Sequence, residues 1–203
     1  MENKKLRVFA FADLHGDSKR AEALAEAAYL ERADLTVLCG DITGLVDSKN
    51  LIKPFKNRGQ RVLLIPGNWD SLATTDFLAN FYGMKNIHGY SAVYDKVGFF
   101  GAGGADIGPF NAVSEKELME TLEKAYSGLK GVEKKVMLTH MHPSGSRSEF
   151  SGLKGSKSIR KAIEKFKPDV LIHGHIHEGS GFEERIGNTR VINVARKGIL
   201  IEI

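Results

Sequence analysis

The chain has 203 residues, of which 42% are hydrophobic and 27% charged, a length and balance that suit one globular domain over residues 1–203 with a sizeable core. The net charge is only +4 and the lysines and arginines are scattered, which excludes a basic nucleic-acid tail but suits an anionic substrate as well as plain solubility. No stretch approaches membrane-spanning length, so no membrane span is expected.

Residues 1–13 begin basic and then apolar, a superficial likeness to a signal peptide. The apolar run is too short, and it enters Asp13 and His15 with no small-residue cleavage site, so residues 6–12 are read as a first strand. Ala21, Leu24, Ala25 and Ala28 recur at helical spacing and predict a helix starting near Asp17 or Ser18. Residues 35–39 form the second strand, and a helix follows over 48–57, disturbed in its second half by Pro54. A third strand covers 61–65, then a short helix 71–80. Residues 90–94 and 97–101 read as paired strands joined by Asp95-Lys96, and the glycine-rich 101–109 as a loop. Ser114 and Glu117 have capping-box spacing, predicting a helix to Ser127 that stops at Gly128. A strand over 135–139, a helix over 156–166 and a strand over 169–173 follow. The tail supplies three strands with hairpin-like spacing, 181–186, 190–194 and 199–203, with Gly187-Asn188 turning the first pair. Alternating strands and helices argue for an α/β domain, and the strand-only sections for a second, more antiparallel sheet. Two packed mixed sheets flanked by helices, four layers in all, account for both.

Five polar signatures each follow an apolar run: Asp13-Leu14-His15, Gly40-Asp41, Gly67-Asn68, His140, and Gly174-His175-Ile176-His177. If the runs are strands of one sheet, all five lie at strand C-terminal ends, the edge where open α/β sheets bind ligands. Carboxylates, imidazoles and an amide carbonyl suit Mn²⁺, Fe or Zn²⁺ better than thiolate-seeking metals. One bridging carboxylate lets this set fill two metal sites, and two ions ~3.5–4 Å apart can bind both a water nucleophile and a phosphoryl oxygen.

In this order, the five motifs resemble those of the calcineurin-like metallophosphoesterases, over residues 13–177. The resemblance implies a double β-sandwich flanked by helices. It implies that Asp13, His15 and His177 hold one divalent ion and that Asn68, His140 and His175 hold a second. Asp41 bridges them, and Mn²⁺ is expected first, with Fe, Ni²⁺ and Zn²⁺ as alternatives. The implied reaction is hydrolysis of a phosphate ester by a metal-bridging hydroxide attacking in line, with Asp41 the costliest residue to lose.

One motif departs from the family. The family's Gly-Asn-His is here Gly67-Asn68-Trp69, followed by Asp70. Indole is a neutral donor and cannot protonate a leaving oxygen, a loss worth ~10²–10⁴ in rate where general acid catalysis is needed. The resemblance then implies a phosphodiesterase acting on a small-molecule or nucleotide diester. Trp69 is expected either to stack on an aromatic leaving group or to fill the space of the missing imidazole. Asp70 and His142 are the candidate acids; His142 is otherwise a surface-loop histidine before Pro143. His173 is expected in packing, and His88 as structural or exposed. Residues 143–155, rich in Ser and Gly, read as a substrate-selecting flap or a plain surface loop, and Gly103–Asp106 as a candidate border of the site.

The single cysteine, Cys39, excludes an intrachain disulfide, is expected in the core, and makes a cytoplasmic protein the default. The rival readings are a phosphomonoesterase or protein phosphatase, and a metal-binding scaffold without activity. Both are weakened, the first by Trp69 and the short chain, the second by ligand-competent residues at every expected position.

Overall fold

A computed structural model describes residues 5–44 and 49–203. The elements run β1 (Arg7–Phe11), α1 (Ser18–Leu30), β2 (Leu35–Cys39), α2 (Lys53–Asn57), β3 (Val62–Ile65), α3 (Leu72–Tyr82), β4 (Lys85–Asn86), β5 (Ser91–Tyr94) and β6 (Val97–Ala102). They continue with α4 (Glu115–Ser127), β7 (Lys134–Thr139), α5 (Lys157–Phe166), β8 (Val170–His173), β9 (Glu183–Ile186), β10 (Thr189–Asn193) and β11 (Ile199–Glu202). Two sheets form, ordered β11-β1-β2-β3-β4 and β5-β6-β7-β8-β10-β9.

The central strands are mainly apolar on both sides because both faces are covered. Successive side chains point to opposite faces. Val8, Ala10, Val37, Cys39, Leu63 and Ile65 meet Phe99, Val136, Leu138, Val170 and Ile172 between the sheets. Phe9, Phe11, Leu38 and Leu64 face outward onto α1, α2 and α3 through Leu24, Phe55 and Leu78. Phe100, Met137 and Leu171 face the opposite way onto α4 and α5 through Leu122, Ile159 and Phe166. The result is the expected four-layer αββα sandwich. Among the described residues, no helix is long and apolar enough to cross a membrane.

The helices begin at their expected caps. Asp17, Ser71, Ser114 and Ser156 each accept a backbone N–H three residues on, and Glu117 completes the capping box with Ser114. Asp95 and Lys96 both have positive φ, 45° and 64°, the turn that lets β5 and β6 pair tightly.

Three expectations are corrected, and one short strand leaves no sequence pattern. The third tail strand does not continue the β9–β10 hairpin; β11 pairs antiparallel with β1 in the other sheet, Val8 opposite Ile201. The signatures divide between two sheets, three following β1, β2 and β3 and two following β7 and β8. They still share one edge, because the sheets are joined there by a parallel bridge between Ala12 and Ala195. Pro54 sits in the first turn of α2, where its fixed φ suits a helix and its missing N–H costs nothing; Ser48, placed in this helix by pattern, lies outside the described residues. Finally, β4 is two polar residues beside β3, too short to leave a pattern.

Candidate dinuclear metal centre

The candidate ligands are set by sharp backbone turns at the strand ends. Asp13, His15, Asp41 and His175 are non-glycine residues with positive φ, of 60°, 47°, 51° and 71°. Such conformations cost ~1–3 kcal/mol each and persist only where surrounding structure enforces them. Two glycines make the turns possible. Gly40 has φ +88°, and a Cβ there would stand 2.6 Å from Gly67 Cα and from His140 Nδ1. A Cβ on Gly67 would collide with the Asp41 carboxylate.

All seven predicted ligands come together. Asp41 Oδ2 lies 3.5 Å from His15 Nε2 and 3.4 Å from His140 Nε2. Asp13 Oδ1 lies 3.4 Å from His177 Nε2 and 4.0 Å from His15 Nε2. His140 Nε2 is 2.9 Å from Asn68 Oδ1 and 3.3 Å from His175 Nδ1. Two clusters with ligand atoms within 4.8 Å of one another share Asp13: Asp13, His15 and His177, and Asp13, Asp41 and His140.

The donor set fits cations. His140 Nδ1 donates to the Cys39 carbonyl at 2.8 Å, which turns Nε2 toward the centre. Burial opposes charge on this ring, but Asp41 beside it outweighs burial and raises the pKa to about 9, so in this structure Nε2 carries a proton that a bound cation would displace. Nε2 faces Asn68 Oδ1 at 2.9 Å, while His15 Nε2 faces His177 Nε2 at 3.3 Å. Each contact is short enough for a proton or a metal ion to be shared between its two atoms. Burial opposes charge on Asp41, but His140, the Trp69 N–H and His15 outweigh it and hold the pKa down to about 2. Burial of His175, helped by His140, pushes that imidazole down to about 4, so its nitrogen stays free to ligate. Asp13 is oriented by the His175 N–H, 3.1 Å from Oδ2, and Asp41 Oδ1 accepts the Trp69 N–H at 2.9 Å.

The other predicted residues are placed differently. Asp70 is buried, and both oxygens are committed: Oδ1 to Thr43 N at 2.8 Å and Thr43 Oγ1 at 2.7 Å, Oδ2 to Gly67 N at 2.8 Å and Ile42 N at 3.0 Å. It ties the Asp41 loop to the Asn68 loop and is not positioned as an acid. His142 is not on the surface; it is 0% exposed, beneath the loop that follows it and 6.1 Å from the His173 ring, so no substrate reaches it in this arrangement. Trp69 is half-buried, edge-on to His15 at 6.0 Å. His173 is buried with Nδ1 3.0 Å from the Gly174 carbonyl, and His88 Nδ1 accepts the Gly103 N–H. Cys39 lies in the core, where burial raises its thiol pKa, so it is no nucleophile.

Sequence reasoning missed Thr43 and Asn111. The Asn111 amide donates to the Gly67 carbonyl at 3.1 Å, and the backbone N–H groups of Phe110 and Asn111 both donate to the Asn68 carbonyl at 3.3 Å. Neither residue stands in a motif, and only the packed loop reveals them.

Paired histidine–carboxylate clusters on the shared edge of an αββα sandwich define a class, the metal-ligating phosphoesterase fold. The chain belongs to the calcineurin-like phosphoesterases, whose family model matches residues 6–179. It is 31% identical over 207 residues to uncharacterized protein MJ1162 of Methanocaldococcus jannaschii, covering 98% of this chain and 92% of that one. TT1561 of Thermus thermophilus superposes with a TM-score of 0.76 at 18% identity, covering 98% of this chain and 99% of that one. A novel archaeal phosphodiesterase superposes with a TM-score of 0.56 at 16% identity, over 97% and 99% of the two chains. The protein is accordingly a phosphoester hydrolase of this family.

Proposed function

We propose that the chain hydrolyses phosphodiesters at a centre of two divalent metal ions, with Mn²⁺ first among the ions these donors suit. Asp13, His15 and His177 hold one ion, Asn68, His140 and His175 the other, and Asp41 is shared. The observation that carries this reading is the position of Asp41 Oδ2, within 3.5 Å of ligand-type nitrogens from both groups, His15 Nε2 and His140 Nε2. Two divalent ions so held supply a water-derived nucleophile near neutral pH and offset charge on the phosphoryl oxygens.

The preference for diesters rests on the chain's own side chains. Trp69 has no acidic proton to give, the oxygens of Asp70 are saturated by donors, and His142 is enclosed. Monoesters of ordinary alcohols therefore lack an acid for the leaving alkoxide. Charge argues the same way. Among the described residues, no lysine or arginine is hydrogen-bonded or ion-paired with any of the seven ligands. A monoester dianion needs one more neutralising partner than a diester monoanion. Trp69, edge-on to His15, offers a flat apolar surface for one arm of a diester. The likeness to an archaeal phosphodiesterase agrees with this reading. We place the enzyme in the cytoplasm, where a lone buried thiol is ordinary.

The test is to strip the protein of metal, add Mn²⁺, and compare bis-p-nitrophenyl phosphate with p-nitrophenyl phosphate. Faster cleavage of the diester, abolished by Asp41→Asn, is the expected result. Preference for the monoester overturns the diester assignment.

A further inference from the structure

His175 and His177 stand in one short segment, yet in the proposed centre they serve different ions. The residue between them, Ile176, therefore governs how the two imidazoles are spaced. Its carbonyl is held by a residue outside every motif. Asn193, the last residue of β10 and only 1% exposed, donates from Nδ2 to the Ile176 carbonyl at 2.8 Å.

The other end of the same amide is committed as well. Asn193 Oδ1 accepts the Ala195 N–H at 2.9 Å. Ala195 forms the parallel bridge with Ala12, and the Arg196 N–H donates to the Ala12 carbonyl at 3.0 Å. Ala12 immediately precedes Asp13. One amide thus ties the segment of His175 and His177 to the segment of Asp13, where the two sheets meet.

The partners dictate the residue type. A buried carbonyl needs a donor and a buried N–H needs an acceptor, and a primary amide offers one of each from a single carbon. An ionised aspartate would set oxygen against the Ile176 carbonyl, and a leucine would leave both groups unpaired. The same partners fix which end of the amide is nitrogen, because the flipped form would set N–H against N–H.

The turn after His177 is fitted to this amide. The Gly179 N–H donates to the Ile176 carbonyl at 3.2 Å, closing the 3-10 turn His177–Gly179. A Cβ at Gly179 would stand 2.8 Å from Asn193 Nδ2, with its next neighbours at 3.5 Å or more. The main chain of Asn193 completes the fit, its N–H donating to the Phe182 carbonyl and its carbonyl accepting the Gly181 N–H, both at 2.9 Å. His175 has φ +71°, a conformation that persists only where neighbours enforce it. Asp13 holds its N–H, and Asn193 holds the carbonyl one residue on. Asn111 is a useful contrast: its amide holds the Gly67 carbonyl and so bears on Asn68, a candidate ligand of one ion alone.

We propose that Asn193 is a positioning residue for both metal ions. By fixing Ile176 it sets the spacing of His175 and His177, and through Ala195 it ties that spacing to Asp13. The inference rests on the two-ion reading of the centre and not on the preference for diesters.

The experiment is a titration of the metal-free full chain with Mn²⁺. Bound ion is read from loss of the free-ion paramagnetic resonance signal, and closeness of the two ions from their spin coupling at low temperature. Asn193→Asp keeps the size of the side chain and removes the donor. Gly179→Ala leaves Asn193 in place and crowds its Nδ2, so it decides the matter if Asn193→Asp does not fold. Each should weaken both ions by ~10–100-fold and diminish the coupled signal. Thr189→Val is the control for a merely structural role. Thr189 is buried at the other end of β10, and its Oγ1 donates to the Pro168 carbonyl at 2.6 Å. This variant should lower the melting temperature of the metal-free chain and leave both affinities unchanged. Asn111→Ser should weaken one ion only. Unchanged affinities in Asn193→Asp and Gly179→Ala, weakening of one ion alone, or an equal loss at both ions in Thr189→Val or Asn111→Ser overturns the role of Asn193. If wild type and both variants take up two coupled ions alike, only this inference falls. If wild type takes up fewer than two, the two-ion reading falls and this inference with it.

Discussion

Asp41 and His140 meet through a single pair of atoms, Oδ2 and Nε2, 3.4 Å apart, while the other nitrogen of His140 is tied to the Cys39 carbonyl. The imidazole is thus aimed from behind and the carboxylate is drawn into its path. Asp41→Asn leaves the shape and removes a charge that lies within 3.5 Å of both His15 and His140. Loss of an outer partner of a ligand costs ~10–100-fold in metal affinity or activity, and loss of this shared carboxylate should cost more. Metal content by elemental analysis, alongside the rate on bis-p-nitrophenyl phosphate, checks this. A variant that keeps two ions and full activity removes Asp41 from the centre.

Asp70 is expected to act on stability rather than on proton transfer. Four donors converge on its carboxylate from Gly67, Ile42 and Thr43. Asp70→Ala strands buried N–H groups, which should cost about 2–4 kcal/mol and lower the melting temperature by several degrees. Asp70→Asn should lose part of this and leave the shape of the pH–rate profile unchanged. A profile that loses its alkaline limb in Asp70→Asn would make it an acid after all.

Trp69 stands where an acid is expected, which makes the reverse substitution informative. Trp69→His should raise hydrolysis of phenyl phosphate, whose leaving group needs a proton, by ~10². Bis-p-nitrophenyl phosphate, whose leaving group does not, should change far less. Equal effects on the two substrates would mean that Trp69 matters only as packing.

His88 links stability to pH. Burial holds its imidazole below the ordinary value, against the pull of Asp76 and aided by Lys124. The neutral ring accepts the Gly103 N–H at 3.0 Å, and protonating that nitrogen would set donor against donor. A folded-state pKa below the unfolded one means the unfolded chain gains the proton first on acidification. The contribution is therefore complete above about pH 6.5 and declines below it, by up to ~1.4 kcal/mol per pH unit. Melting temperatures of wild type and His88→Gln, followed from about pH 8 to about pH 5, should converge as the pH falls. Parallel curves would contradict this.

The candidate ligands are legible in the sequence because their motifs follow short, β-branched-rich apolar runs, and runs of that length and composition favour buried strands over helices. Helix starts are legible for the same local reason, since Asp17, Ser71, Ser114 and Ser156 cap within three residues of themselves. Pairing is a different matter. Nothing local to residues 199–202 says that they lie against β1 rather than β10, because Val8 and Ile201 are brought together only by the closed sheet. Burial of single polar residues is equally non-local: His142 reads as a loop residue until the loop from Pro143 to Ser156 folds over it. The motif of Asp70 suggests chemistry, whereas three of its four donors come from Ile42 and Thr43, nearly thirty residues earlier. The clamp of Phe110 and Asn111 on Asn68 leaves no pattern at all.

The most direct measurement is a titration of metal-free protein with Mn²⁺ in which bound metal and hydrolysis of bis-p-nitrophenyl phosphate are read together. Two ions should bind per chain, with hydrolysis absent in the metal-free protein and complete only as the second ion is taken up. Hydrolysis undiminished without metal, or no hydrolysis with two ions bound, would contradict a two-metal phosphodiesterase.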